Sequence, residues 1–320
     1  MDSEGTKSPY VAGGTISIQL RGSFEGQTAE ATILKVFEPF TLSCAMVVRL
    51  SCSDLASKGE MVLKIFDRRF ASQLREDQDA SPWTPDIEKE YHQFAIEGGA
   101  SSFTAKLNSK DETATEQADT QNDSQTEAFL QHLMSESYDT EVEVYNTLKD
   151  IQGEYIPQLF ANITTPIAID TQASTASPYI DPPGILLQYI TGFELTDIAD
   201  CAPKECWQSI GEESIRIVNV IGDRGILNED VKRRNFIVQK QEEDVYKVFM
   251  IDFALCLFRN EFEDDAEWDQ RKAMQDEEGA VGYVMQGKLK GGFTYHRSAR
   301  YEQLDEDWNM EDGPKRPRDG

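Results

Sequence analysis

The chain has 320 residues, 39% of them hydrophobic, enough to bury a sizeable core in one or two domains. Its 58 acidic against 31 basic residues leave a formal net charge of −27, which repels phosphate backbones and argues against nucleic-acid binding. No apolar run reaches membrane length and residues 1–30 hold no apolar signal core, so neither a membrane span nor secretion is expected.

Residues 1–14 read as disordered, and Thr15–Leu20 alternates as a short strand. Three stronger strands follow, Ala31–Phe37, Leu42–Leu50 and Met61–Phe66, forming a small antiparallel sheet. The turn Phe37–Ser43 between the first two of these has no glycine. Lys64 lies inside the third strand with apolar neighbours on both sides. An unpaired ammonium is costly to bury, so this lysine faces either solvent or a partner.

Residues 72–97 carry Trp83, Tyr91 and Phe94 and read as partly helical. Residues 98–127 are rich in Ser, Thr, Gln, Asp and Ala, and read as a disordered insertion. Ala128–Ile151 is the clearest helix, with Leu130, Met134, Tyr138, Val142 and Tyr145 at helical spacing, and it carries Glu141 and Glu143. Ile156–Phe160 and Ile185–Ile190 read as strands, separated by a polar, proline-bearing loop. Glu194–Cys201 and Lys204–Gly222 read as helices, the second with a stripe of Trp207, Ile210, Ile215, Val218 and Ile221.

The segment Asp230-Val-Lys-Arg-Arg-Asn235 places a carboxylate, a lysine two residues later and an amide five residues later on one short loop. A strand, a polar turn and a second strand follow, the last ending at Asp252. Phosphoryl transfer from a nucleotide needs this inventory: one carboxylate to orient the attacking hydroxyl, an amide and a second carboxylate to hold Mg²⁺ against the phosphates. The glycine clusters Gly279–Val284 and Gly287–Gly292 read as loop turns, and residues 301–320 as a disordered tail.

Asp230-x-Lys232-x-x-Asn235 followed by Asp252-Phe253-Ala254 resembles the protein-kinase catalytic loop H-R-D-x-K-x-x-N and metal motif D-F-G. The chain is similar to divergent kinase-like proteins of filamentous fungi. The resemblance implies an α+β, bilobal protein-kinase-like fold. It would have a small antiparallel-sheet N-lobe over 15–190 and a reduced, mostly helical C-lobe over 191–300. It implies Asp230 as catalytic base, Lys232 at the transferred phosphate, and Asn235 and Asp252 as metal ligands. Val62-Leu-Lys64-Ile resembles the kinase strand whose lysine binds the α- and β-phosphates and pairs with a helix glutamate. The fungal pattern of Glu, Tyr, Leu and Gln-Gly makes Glu141 the partner. Glu143 is the alternative, about 200° further around the helix. Gln188, Tyr189 and Ile190 stand where a kinase hinge binds adenine.

The implied cofactors are ATP and Mg²⁺, and the implied partners are a nucleotide and a protein or small-molecule hydroxyl acceptor. The glycine-free turn, Ala254 in place of glycine and the lack of an Ala-Pro-Glu element keep open a second reading, an inactive pseudokinase that binds nucleotide or scaffolds a partner. Asn228 and Glu229 stand where His and Arg are usual, which implies no activation by a phosphorylated loop. The five scattered cysteines, Cys44, Cys52, Cys201, Cys206 and Cys256, form neither a disulfide framework nor a Cys-x-x-Cys zinc pair. An intracellular, reducing location is expected, cytoplasmic or nuclear. The basic run Pro314–Arg318 would suit an import signal, though solvation is its commoner use.

Overall fold

Apolar residues at every second position drive the first part of the chain into strands. The structure, a computed structural model, describes residues 8–51, 54–108, 122–167 and 176–310. The chain divides into two units, residues 1–142 with 158–189 and residues 143–157 with 190–320. In the first unit β1 (Thr15–Leu20), β2 (Thr28–Val36), β3 (Cys44–Ser51) and β4 (Glu60–Ile65) form an antiparallel meander. Helices α1 (Ser72–Asp77), α2 (Pro85–Ile96), α3 (Gly99–Asn108) and α4 (Asp123–Thr147) follow, then β5 (Leu159–Thr164), α5 (Ser177–Ile180) and β6 (Pro183–Gln188).

β6 lies between β4 and β5, and β5 pairs with β1 through Gln19–Thr164 and Leu20–Ile163. The small antiparallel sheet expected from the strand pattern therefore gains β6 and β5 and closes as a barrel in the order β1-β2-β3-β4-β6-β5. Closure follows from β1, whose inward Ile16, Ile18 and Leu20 join Ile33, Val48 and Leu63 in one core. β4 divides its faces by alternation: Met61, Leu63 and Ile65 enter that core, and Lys64 projects from the other side. Opposite it, a Cβ on Gly184 would lie 2.6 Å from the Lys64 carbonyl oxygen, so only glycine lets β6 approach β4 this closely.

Two stretches of this unit that composition marks as disordered are ordered where described. Tyr10 is buried, packs edge-on against Phe40 and Phe70, and donates its hydroxyl to Asp67 at 2.6 Å. Residues 99–108 form α3, and α4 begins at Asp123, because small residues pack well here. Ala95, Ala100 and Ala128 share a core with Tyr91 and Ile180. Residues 1–7 and 109–121 lie outside the described residues.

A buried ionic network ties α1, α2 and α4 to the residues after β4. Arg68 donates to Glu127 at 2.6 Å and Glu88 at 2.8 Å, and stacks on Tyr91. Arg75 donates to the other Glu127 oxygen at 2.6 Å. Two guanidinium groups thus share one carboxylate on α4, the helix that also carries Glu141.

The second unit holds β7 (Phe193–Glu194), α6 (Ile198–Cys201), α7 (Trp207–Gly222), β8 (Ile226–Asn228), β9 (Phe236–Glu242), β10 (Val245–Met250) and β11 (Cys256–Phe258). Helices α8 (Asp265–Gln275), α9 (Glu277–Lys288) and α10 (Ala299–Met310) complete it. The hairpin β9–β10 extends to β7, and β8 pairs with β11. α7 buries Ile210, Ser214, Ile217, Val218 and Ile221, so Ile217 takes the core position expected of Ile215.

Two further expectations are corrected in this unit. The glycines at 279 and 282 lie within helix α9 and not in turns, since a Cβ on Gly282 would sit 2.3 Å from the Tyr295 ring. Close ring-to-backbone packing, not chain reversal, explains this glycine. The tail is helical to Met310, because Tyr301 and Leu304 pack with Ala273. Residues 311–320, with the basic run, and Cys52 lie outside the described residues. No helix among the described residues is long and apolar enough to cross a membrane.

Candidate active site

The sequence-derived site residues fall into two groups, one in each unit. In the first, Lys64 on β4 meets Glu141 on α4, with Nζ to Oε2 at 2.5 Å. Lys64 is 6% exposed and Glu141 is fully buried, while Glu143 is exposed. Helical geometry decides between the two glutamates, since only one can lie on the buried stripe with Leu130, Met134 and Tyr145. A charge pair this deep persists because each ion offsets the desolvation of the other. The ammonium also lies over the Phe66 ring, against which Tyr138 packs.

Gln188 ends β6, where its backbone N–H donates to the Gln158 carbonyl at 2.8 Å. The chain passes from one unit to the other between Tyr189 and Ile190.

In the second unit, β8 leads into the loop that carries Asp230, Lys232 and Asn235, and a 3₁₀ turn at Arg233–Asn235 leads out into β9. Asn235 is buried and donates Nδ2 to the Asp230 carbonyl at 2.8 Å. That bond points its Oδ1 away from the donor side, and no protein donor reaches Oδ1 among the described residues. The Asn235 carbonyl accepts from Ile251 N–H at 2.8 Å, which fastens the loop to the segment before Asp252. Asp252, two residues after β10 ends, has φ +69, a left-handed backbone position uncommon outside glycine. Phe253 behind it is buried and packs edge-on against Tyr145.

The Asp230 carboxylate is ion-paired with Lys232 and lies 3.8 Å from Arg234. Lys232 therefore neutralises the acid on its own loop, a contact its spacing of two residues permits.

Three residues that the motif comparison left without a role organise this loop. Asn228, buried at the end of β8, accepts the Asp230 N–H at 2.8 Å and donates to the Asp252 carbonyl at 3.0 Å. It bridges the two acid-bearing segments. Glu277, at the start of α9, accepts the Asn228 N–H at 2.8 Å and the Lys272 ammonium at 2.9 Å. Both members of that pair are 1% exposed. The one sequence signal was a buried-type position, asparagine directly after the apolar Ile226 and Leu227. Glu277 gave none, because it sits in a run of acids that reads as solvated. Glu229 pairs with Arg271 on α8, so the position where a kinase has arginine holds the opposite charge, already engaged.

A resident divalent ion would need a carboxylate and an amide oxygen free of protein donors. Asn235 Oδ1 meets the second need, and the half-buried Asp252 carboxylate, which already has contacts of its own, would supply the first by turning to the ion, with phosphate oxygens as further ligands. Among the described residues no group of three or more His, Cys, Asp or Glu could hold a metal without such help.

The sequence matches no protein-family model and no curated protein. Among solved structures, the chain is similar to the Rio2 kinase–ADP/Mg²⁺–phosphoaspartate complex from Chaetomium thermophilum. Identity is 12% and TM-score 0.47, over 86% of this chain and 61% of that one, so the chain spans about three fifths of that protein's length. It is also similar to WaaP in complex with acyl carrier protein, at 11% identity and TM-score 0.40, over 87% of this chain and 82% of that one.

Proposed function

We propose that the chain is a kinase-like phosphotransferase that moves the γ-phosphoryl group of ATP to a hydroxyl acceptor. The observation that carries this reading is the joint occurrence of two arrangements. One is the buried Lys64–Glu141 pair. The other is the loop in which Asn228 and Asn235 brace Asp230 and the approach to Asp252. Nucleotide phosphotransfer uses a lysine–glutamate pair, a base, and an aspartate and asparagine for metal.

In this reading Lys64, held by Glu141, takes the α- and β-phosphates. Asp252 and Asn235 hold Mg²⁺, which supplies charge neutralisation on the phosphate oxygens. Asp230 orients the acceptor hydroxyl and receives its proton as that oxygen bonds to the γ-phosphorus and ADP departs. Lys232 leaves its ion pair with Asp230 to meet the transferring group. Gln188, Tyr189 and Ile190 lie along the adenine through backbone donors and acceptors. Rate would come from positioning and electrostatics.

The turn between β2 and β3 favours a second reading, a pseudokinase. It contains Pro39, which lacks an N–H, and no glycine. Calorimetry with ATP, with and without Mg²⁺, tests the first reading on wild type, Lys64→Met and Asp252→Ala. Mg²⁺-dependent binding that Asp252→Ala loses and Lys64→Met weakens is expected. Absence of Mg²⁺-dependent binding to wild type defeats the enzyme reading. Binding without turnover, indifferent to Asp230→Ala, supports the pseudokinase.

A further inference from the structure

A cavity of about 370 Å³ opens at the catalytic loop, and its lining includes Lys232, Arg233 and Arg234. Val231, Ala280 and Val284 supply its apolar lining, and Thr196 also contributes. Among the described residues no acidic side chain lines it, in a chain where acids outnumber bases 58 to 31. Lys232 and Arg234 share the single Asp230 carboxylate, so these three cations keep a net positive charge at the cavity, a local inversion of the protein's charge.

Arg233 separates this cavity from a solvated basic face. Among the described residues every other arginine has a carboxylate within ion-pairing distance: Arg21, Arg49, Arg68, Arg69 and Arg75 in the first unit, and the rest in the second. Arg233 has none, although it is half-buried. In so acidic a protein an arginine excluded from every ion pair, at the wall of a cavity, is placed for an anion from outside. Its planar fork suits two phosphate oxygens.

We infer that this cavity holds the phosphate of a small phosphate monoester whose free hydroxyl is the acceptor. The inference rests on the phosphotransferase reading for its second half. The volume fits a phosphorylated polyol, at the lower end of small-molecule sites. The apolar lining takes the carbon skeleton, and Arg233 with Arg234 takes the phosphate. Asp230, three residues before Arg233, takes the proton of the hydroxyl. That oxygen forms a bond to the γ-phosphorus, the bond to the bridging oxygen of ADP breaks, and ADP leaves with the electron pair. An acidic peptide fits less well, because beyond the cavity its further carboxylates meet a surface of net charge −27.

The test titrates glycerol 3-phosphate, glycerol and hexaglutamate into the full chain by calorimetry, with Mg²⁺–ATP measured in parallel. Wild type is expected to bind glycerol 3-phosphate at least tenfold more tightly than glycerol. Arg233→Gln should lose that preference at least tenfold while Mg²⁺–ATP binding is unchanged. Ala280→Leu, which fills the cavity without altering charge, should weaken glycerol 3-phosphate as well. Equal affinity for glycerol 3-phosphate and glycerol, or unchanged affinity in both variants, overturns the proposal. So does binding of hexaglutamate without glycerol 3-phosphate. Glycerol 3-phosphate binding without Mg²⁺–ATP binding upholds the anion site and defeats the phosphotransferase reading, and the converse does the reverse.

Discussion

Glu277 is the point at which the catalytic loop depends on a buried charge, and its removal gives a prediction with a magnitude. One carboxylate oxygen accepts the Asn228 N–H at 2.8 Å, and the other accepts Lys272 at 2.9 Å and the Tyr301 hydroxyl at 3.3 Å. Glu277→Leu strands an ammonium that is 1% exposed, which costs about 3–5 kcal/mol. It also orphans the Asn228 N–H, worth about 1–3 kcal/mol. The single variant should therefore lose about 4–8 kcal/mol, a large share of an ordinary domain's stability of about 5–15 kcal/mol. Replacing both charges, Lys272→Met with Glu277→Leu, removes the stranded ion and leaves the Asn228 N–H and the Tyr301 hydroxyl without their acceptor. The double variant should thus recover about 3 kcal/mol relative to Glu277→Leu alone.

Urea unfolding followed by tryptophan fluorescence reads this directly, since Lys272 lies over the Trp268 ring at 5.4 Å. At a slope of about 2 kcal/mol per molar urea, the midpoint of Glu277→Leu falls by about 2 M or more and returns by about 1.5 M in the double variant. A double variant as unstable as the single one refutes the reasoning, because the penalty would not then come from the unpaired ammonium.

Other consequences are equally specific. Glu127→Ala leaves Arg68 and Arg75 one shared carboxylate short, and should cost about 3–5 kcal/mol by chemical denaturation. Burial works to raise the Glu88 carboxyl pKa, but the His92 imidazole 2.9 Å away, the charge of Arg68 and a hydrogen bond from Trp83 outweigh it and hold it well below the usual carboxylate range. Its folded value is below its unfolded value, so its stabilisation is complete above about pH 4.3 and is lost as pH falls through the folded value. Thermal midpoints of wild type should fall more steeply on acidification below pH 4 than those of Glu88→Gln. Asn228→Ala removes the bridge between the Asp230 and Asp252 segments. It should cost about 1–3 kcal/mol and lower Mg²⁺-dependent nucleotide affinity, whereas a purely structural role predicts the first change without the second. Gly282→Ala forces a Cβ to 2.3 Å from the Tyr295 ring and should lower stability by about 1–3 kcal/mol in a thermal melt.

Local pattern determined a good deal. Strand alternation located β2, β3 and β4 to within a few residues, and helical spacing located α4 and α7, because an element must bury one face whatever its neighbours are. Lys64 stood out as a charge among apolar residues, while Glu141 was separated from Glu143 only by the family resemblance; the structure pairs Lys64 with Glu141 at 2.5 Å. What pattern cannot encode is which distant residues meet. Closure of the barrel hangs on two residue pairs between β1 and β5, separated by well over a hundred positions. Small residues in 98–108 read as solvated until Tyr91 and Ala128 give them a surface to pack on. The acid run at 276–278 reads as solvated until Lys272, Tyr295 and the Asn228 N–H bury two of its members. Polar residues advertise their type in the sequence, but whether one is buried depends on partners that only the tertiary structure supplies.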